Sequence, residues 1–184
     1  METEATSIPD VFVLKPRRFE DTRGAFRETF KAHEWHGPGP TTTFVQDNQA
    51  LSYKRGTLRG FHFQRTPFAQ AKLVRVLTGA VQDVAVDLRQ GSPTYGQHVS
   101  AVLSAQNEHQ LFVPQGFAHA YLTLEDNTEV LYKVDQRYHP QSEGGLLWKC
   151  PMLEVNWMVP ADEIILAEKD AKWPTLEALE VSFA

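Results

Sequence analysis

From Val11 to Val134 the chain alternates apolar and polar side chains in short runs. VFVLKP, TFVQDN, TLRGFHFQ, AKLVRVLTG, AVQDVAVDLR, QHVSAVLS, HQLFVPQG, AHAYLTL and TEVLYKV each have the length of a strand and are rich in Val, Leu, Phe and Tyr. A period of two places alternate side chains on opposite faces, the signature of half-buried strands. Turn signals separate the runs at Thr78-Gly79, at Gln90-Gly91-Ser92-Pro93 and at Glu125-Asp126-Asn127. Helical periodicity is scarce. It predicts one short helix from Phe26 to Trp35 and one or two more within residues 161–180. Gly37 to Pro40, reading GPGP, is a loop within the domain. With no repeat, low-complexity tract or linker, residues 1–184 form one domain. Many closely spaced short strands predict an all-β sandwich or barrel, whose interior has room for one small ligand.

Alternation also assigns faces. Lys72, Val74 and Val76 share one, while Leu73, Arg75 and Leu77 share the other. Two residues are out of place in strands this apolar: His62, between two phenylalanines, and Lys72. If both face the barrel interior, they need a ligand or a counter-charge there.

Bulk properties narrow the function classes. Of 184 residues, 42% are hydrophobic and 22% charged, and the net charge is −5. That is ordinary globular composition without the basic footprint of a nucleic-acid binder. No apolar run approaches the ~18–20 residues that span a membrane. The start, METEATSIPD, is acidic and lacks the apolar centre of a signal peptide. Cys150 is the one cysteine, so no intrachain disulfide forms, which suits a reducing compartment and predicts the cytoplasm. Its surroundings, Trp-Lys-Cys-Pro, read as a loop and not as a nucleophile's setting.

Pro114 to His119 has the form P-x-G-x-x-H. This resembles the second signature of the cupin superfamily of jelly-roll barrels, in whose metal-binding members that histidine is a ligand. The partner signature supplies H-x-H and then a glutamate. Here it reads His62-Phe63-Gln64, and two histidines without a placed carboxylate make a poor zinc or iron site. No metal and no cofactor is expected, and chemistry in the interior is left to proton transfer.

The stretches VLKPRRFEDTRGAFRETF, TFVQDNQALS, GTLRGFHFQ, FAQAKLVRVLTGAVQDVAVDLRQGSPTYGQ, FVPQGFAHAYLTL, EVLYKV and EIILAEKDA resemble the dTDP-4-dehydrorhamnose 3,5-epimerases, in order and over roughly residues 9 to 173. The resemblance implies a cupin-type jelly roll and a nucleotide-diphospho-4-keto-6-deoxyhexose substrate, whose C3 and C5 hydrogens both lie α to the C4 ketone. It places the base on His62, the group that stabilises the enolate oxygen on Lys72 and the acid on Tyr132. Asp170 is implied as the partner of His62, and Asp83 as that of Lys72. An imidazole, with an ordinary pKa near 6.5, suits the base; a phenol, near 10, is protonated and able to donate.

The same resemblance implies substrate contacts at Arg23, Glu28, Gln46, Asp47, Asn48, Arg59, His119, Tyr138, Glu143 and Lys169. Guanidinium suits phosphate through paired hydrogen bonds. Phe19, Phe26 and Tyr138 are candidates to stack on the base of the nucleotide. Part of the site is implied to come from a neighbouring subunit's N-terminal segment, hence a homodimer. The chain departs from the family pattern at Ala71, at Trp148 to Pro151 and at Ala120-Tyr121, where Gly-Phe is common. The alternatives are a mono-epimerase acting at one carbon, a non-catalytic sugar-binding cupin and a metal-dependent cupin.

Overall fold

The computed structural model describes residues 1–32, 42–180 and 183. Two antiparallel sheets carry almost all of the regular structure. The first has the order β1 (Glu2–Ala5), β2 (Phe12–Lys15), β10 (Gln110–Val113), β7 (Lys72–Thr78), β12 (Thr128–Val134) and β5 (Gln46–Ser52). The second runs β13 (Glu143–Gly145), β6 (Thr57–Gln64), β11 (Phe117–Thr123), β8 (Ala80–Asp87) and β9 (His98–Ser104), and β14 (Ile165–Leu166) pairs in parallel with β6. A separate hairpin joins β3 (Arg18–Asp21) to β4 (Gly24–Arg27). The architecture is all-β, as the alternation predicts, and has the jelly-roll form that the resemblance implies.

Period-two patterning sorts the apolar side chains into three layers. Val74, Val76 and Val130 of the first sheet meet Val81, Ala85, Leu103 and Phe117 of the second in the barrel interior. Behind the second sheet, Leu58, Phe61, Val84, Ala118 and Leu122 are covered by Leu146, Trp148, Leu153, Val159 and Leu176 of the C-terminal stretch. Behind the first, Phe12, Leu14, Leu73 and Phe112 pack with Phe30 and Phe44. Lys72, Val74 and Val76 do share the interior face, so the lysine is drawn inward by its strand.

The expected helices are not formed among the described residues. Phe26 and Arg27 belong to β4, because Gly24, at φ +138°, turns the chain back and sets Phe26 opposite Phe19. The rest of that prediction, through Trp35, and the GPGP loop largely fall on residues 33–41, outside the described residues. Within 161–180 only a 3-10 turn at Ala161–Glu163 is helical. Ile165 and Leu166 go instead to the edge of β6, where branched and bulky apolar side chains are at home. The TFVQDN run starts late, since its strand is Gln46–Ser52. No helix among the described residues is long and apolar enough to cross a membrane.

Candidate active site

The site begins with an irregularity in β6. His119 pairs with His62, and Tyr121 pairs with Arg59, so two steps along β11 match three along β6. The additional residue lies in Gly60-Phe61, and it resets the alternation. Leu58, Phe61 and Phe63 then all join the layer behind the sheet, while Arg59 and His62 both line the interior cavity. A regular strand would send those two to opposite faces. Gly60 makes the bulge feasible: its φ is +121°, and a Cβ there would lie 2.6 Å from the His119 carbonyl oxygen.

The cavity of about 380 Å³ is walled by Arg59 and His62 from β6, His119 and Tyr121 from β11, Lys72 from β7 and Tyr132 from β12. Asp170 and Lys169, from the stretch after β14, close one side. A second hollow of about 240 Å³ shares His62, Lys72 and Tyr132 and adds Gln46, Asn48, Tyr138 and Glu143. Three of the sequence-predicted groups thus stand where the two spaces meet.

Each buried charge has a distinct arrangement. His62 Nε2 lies 2.7 Å from Asp170 Oδ1, which leaves Nδ1 as the ring nitrogen that takes up a proton. Asp170 is 2% exposed. Burial works against its charge, but hydrogen bonds from His62, the Gly60 amide and Trp173 outweigh it and hold the carboxyl below its usual range. Lys72 is 8% exposed; burial lowers it to about 8 against the attraction of Asp83. Among the described residues its Nζ reaches only the His62 carbonyl oxygen, at 3.5 Å. His119 Nε2 lies 2.8 Å from Asp83 Oδ1, and burial, with Lys72 nearby, keeps this ring below its ordinary pKa despite the carboxylate. Asp83 therefore bonds the histidine directly and acts on Lys72 through space, with its Oδ2 unpaired among the described residues.

Both phenols are hard to ionise. Burial raises Tyr132, with Arg59 opposing, and raises Tyr121 to about 12. Arg59 itself donates to Ser52 Oγ at 3.2 Å and to the Leu51 carbonyl at 3.3 Å, and neither is a carboxylate. The guanidinium at the cavity wall is thus held by neutral acceptors.

The remaining predicted residues divide into two groups. Gln46 and Asn48 bond each other at 2.8 Å. Glu143 accepts from Lys169 at 2.7 Å and from Tyr138 at 3.4 Å, so all five border the hollows. Asp47 instead pairs with Lys133 on the exposed side of β5. Arg23 and Glu28 lie away from the cavity within one chain, paired with Asp21 and Lys31. Phe19 and Phe26 are 45% and 67% exposed on the β3–β4 hairpin.

Three contributors escape sequence reasoning: Tyr121, Ser52 and Trp173. Tyr121 had a signal, since it stands two positions after His119 and so shares its face. Trp173, which donates to Asp170 Oδ1 at 3.2 Å, had none. Gln64, at the H-x-H position, spends its amide on the backbone of Phe68, Arg137 and His139 and joins the loops there. Among the described residues no group of three or more His, Cys, Asp or Glu converges as a metal site.

A family model described as dTDP-4-dehydrorhamnose 3,5-epimerase matches residues 5–178. The dTDP-4-dehydrorhamnose 3,5-epimerase of Sinorhizobium fredii is 46% identical over 183 residues, covering 100% of this chain and 93% of the relative. Among solved structures, dTDP-6-deoxy-D-glucose-3,5-epimerase from Legionella pneumophila, in complex with dTDP-4-keto-L-rhamnose, superposes with a TM-score of 0.92 at 39% identity, covering 97% of this chain and 94% of that one. A 3'-monoepimerase from Streptomyces bikiniensis, in complex with dTDP-quinovose, gives 0.86 at 32% identity, with 94% and 87% covered.

Proposed function

The chain belongs to the dTDP-4-dehydrorhamnose 3,5-epimerase family, and from that premise we propose that it epimerises a dTDP-4-keto-6-deoxyhexose by proton transfer at C3 and C5. His62 is the base. It removes a proton α to the C4 ketone, and the electron pair moves onto the carbonyl oxygen. Lys72 stabilises that oxygen with a charge that no carboxylate among the described residues contacts directly. Tyr132 returns a proton from the opposite face, which inverts the carbon. Asp170 orients His62 and supports its imidazolium; Asp83 orients a neutral His119, which contacts substrate. Arg59 takes the diphosphate. The hollow bordered by Gln46, Asn48, Tyr138 and Glu143 takes the nucleotide end, with Lys169 at its edge.

One observation carries the reading: His62 and Tyr132 line a single cavity from opposite sheets, with Lys72 between the two spaces they share. Base and acid on facing sheets are what inversion of a carbon requires, because the proton must leave one face and return to the other. A positioned base of this kind contributes about 10²–10⁴-fold, and preorganised charge at the oxygen a comparable factor.

Arg23, Glu28 and Asp47 complete the substrate contacts in a homodimer, where the β3–β4 hairpin of one copy reaches the other. Two exposed phenylalanines facing each other across that hairpin support this assembly.

The test is incubation with dTDP-4-keto-6-deoxyglucose in D₂O containing EDTA, followed by NMR of the sugar. Deuterium at both C3 and C5 is the expected result. Entry at one carbon makes the protein a mono-epimerase. Binding without exchange makes it a sugar-binding cupin, and exchange abolished by EDTA assigns the chemistry to a metal.

A further inference from the structure

Asp170 Oδ1 accepts two hydrogen bonds, one from His62 Nε2 at 2.7 Å and one from Trp173 Nε1 at 3.2 Å. The indole reaches the carboxylate across β13. Gly145 pairs in register with His62, and a Cβ on Gly145 would lie 2.3 Å from the Trp173 ring. Only glycine leaves room for the indole there. Gly144 is bare for the corresponding reason, since a Cβ on it would lie 2.5 Å from the Phe63 ring. One residue past the indole, the Pro174 carbonyl accepts from the Leu147 amide at 2.8 Å, which ties this segment to the continuation of β13. On the other side, the Asp170 amide closes a turn onto the Ala167 carbonyl at 3.0 Å. Trp173 is therefore wedged between the strand that pairs with the base and the carboxylate that holds it.

We propose that Trp173 is a positioning residue for the His62–Asp170 dyad: its indole N–H fixes Asp170 Oδ1 against the imidazole and takes up part of the carboxylate's charge. What the dyad does in turnover rests on the epimerase reading; the linkage from Trp173 to His62 does not. A donor on Oδ1 leaves the carboxylate less able to hold a proton on the facing ring. Without the indole N–H, Asp170 supports the imidazolium more strongly, His62 keeps its proton to higher pH, and less of it is available as base near neutrality. The other charged and titratable groups facing the dyad are Lys72 from β7, Asp83 from β8, His119 and Tyr121 from β11, Tyr132 from β12, Tyr138, Glu143 from β13, Lys169, and Arg59 on the same strand as His62. Trp173→Phe alters none of them, so a displaced titration reports the lost N–H.

The experiment compares wild type, Trp173→Phe, Asp170→Asn and the double variant. Phenylalanine keeps an aromatic ring against Gly145 and removes the donor. For Trp173→Phe the expected results are a fall in kcat for C–H exchange of about three- to tenfold near neutral pH, KM within about twofold, and an acid limb of the pH–rate profile displaced upward. NMR titration of the His62 ring without substrate should give a midpoint at higher pH than in wild type. In the Asp170→Asn background the same substitution should displace neither. An equal loss in both backgrounds with unmoved titrations would reduce Trp173 to packing and overturn the proposal, as would no change at all. If wild type exchanges no deuterium, the epimerase reading fails, and the NMR titration alone decides for or against the linkage.

Discussion

Lys72 allows the cost of the charge proposed for catalysis to be measured directly. Burial lowers its pKa from 10.5 to about 8, which corresponds to about 3 kcal/mol of destabilisation while the amine is charged. The sign follows from proton binding. Below pH 8 both the folded and the unfolded chain carry the proton, and the full cost is present. Between 8 and 10.5 the folded state releases it first, so stability rises with pH until the cost is gone. Lys72→Met, which keeps the length and loses the charge, should therefore stabilise the fold by about 3 kcal/mol near neutrality. With a urea slope of roughly 2 kcal/mol/M, the unfolding midpoint moves up by roughly 1.5 M. The gain should shrink toward zero as the pH approaches 10.5. In the same variant the exchange rate should fall about 10²–10³-fold, since the enolate oxygen loses its cation. Urea titrations at fixed protein concentration, near pH 7 and pH 10, check the first claim, and deuterium exchange checks the second. A variant no more stable than wild type near neutrality, or a gain independent of pH, would refute the burial argument.

His62→Ala should remove exchange at both carbons, whereas Tyr132→Phe should spare proton removal more than inversion; NMR of isotope and configuration in D₂O separates the two. Gly60→Ala should cost about 2 kcal/mol or more, because the new methyl meets the His119 carbonyl at 2.6 Å at a backbone angle unfavourable to alanine. Chemical denaturation and the loss of exchange would both report it. Tyr121→Phe should leave the unliganded protein as stable as wild type or more so, since among the described residues the buried Tyr121 hydroxyl finds no hydrogen bond of ordinary geometry; a satisfied hydroxyl would cost about 1 kcal/mol in the same melt.

The strands were legible because burial on one face writes itself into the sequence at period two; alternation grouped Lys72 with Val74 and Val76, but Leu73 and Leu77 make the other face equally apolar, so which face turns inward was left to the packing. Local signals failed where tertiary pairing won. Phe26 reads as the start of an amphipathic helix, but Gly24 folds it back onto Phe19. Ile164 to Leu166 read as helical until the edge of β6 offered them a partner. For the site, strict alternation separates Arg59 from His62, and only the bulge at Gly60-Phe61 reunites them. That bulge depends on how close β11 comes, a distance no local pattern encodes. Trp173 was illegible for a related reason: its role is defined by a glycine on another strand and a carboxylate three residues back.

The arrangement of partners fits what the proposed mechanism asks of each group. A base that cycles between neutral and charged needs a fixed carboxylate, and His62 has Asp170 at 2.7 Å. A contact residue that stays neutral tolerates full burial, and His119, bonded to Asp83, is held there. A cation meant for an oxygen that becomes negative only in the transition state gains nothing from a carboxylate that neutralises it beforehand. Among the described residues Lys72 accordingly touches a single carbonyl, at 3.5 Å, with Asp83 acting from a distance. The same logic applies to Arg59, held by a hydroxyl and a carbonyl. On the proposed roles the groups left short of partners are the ones whose partner is the substrate, which is why removing the Lys72 charge should strengthen the fold and disable the chemistry together.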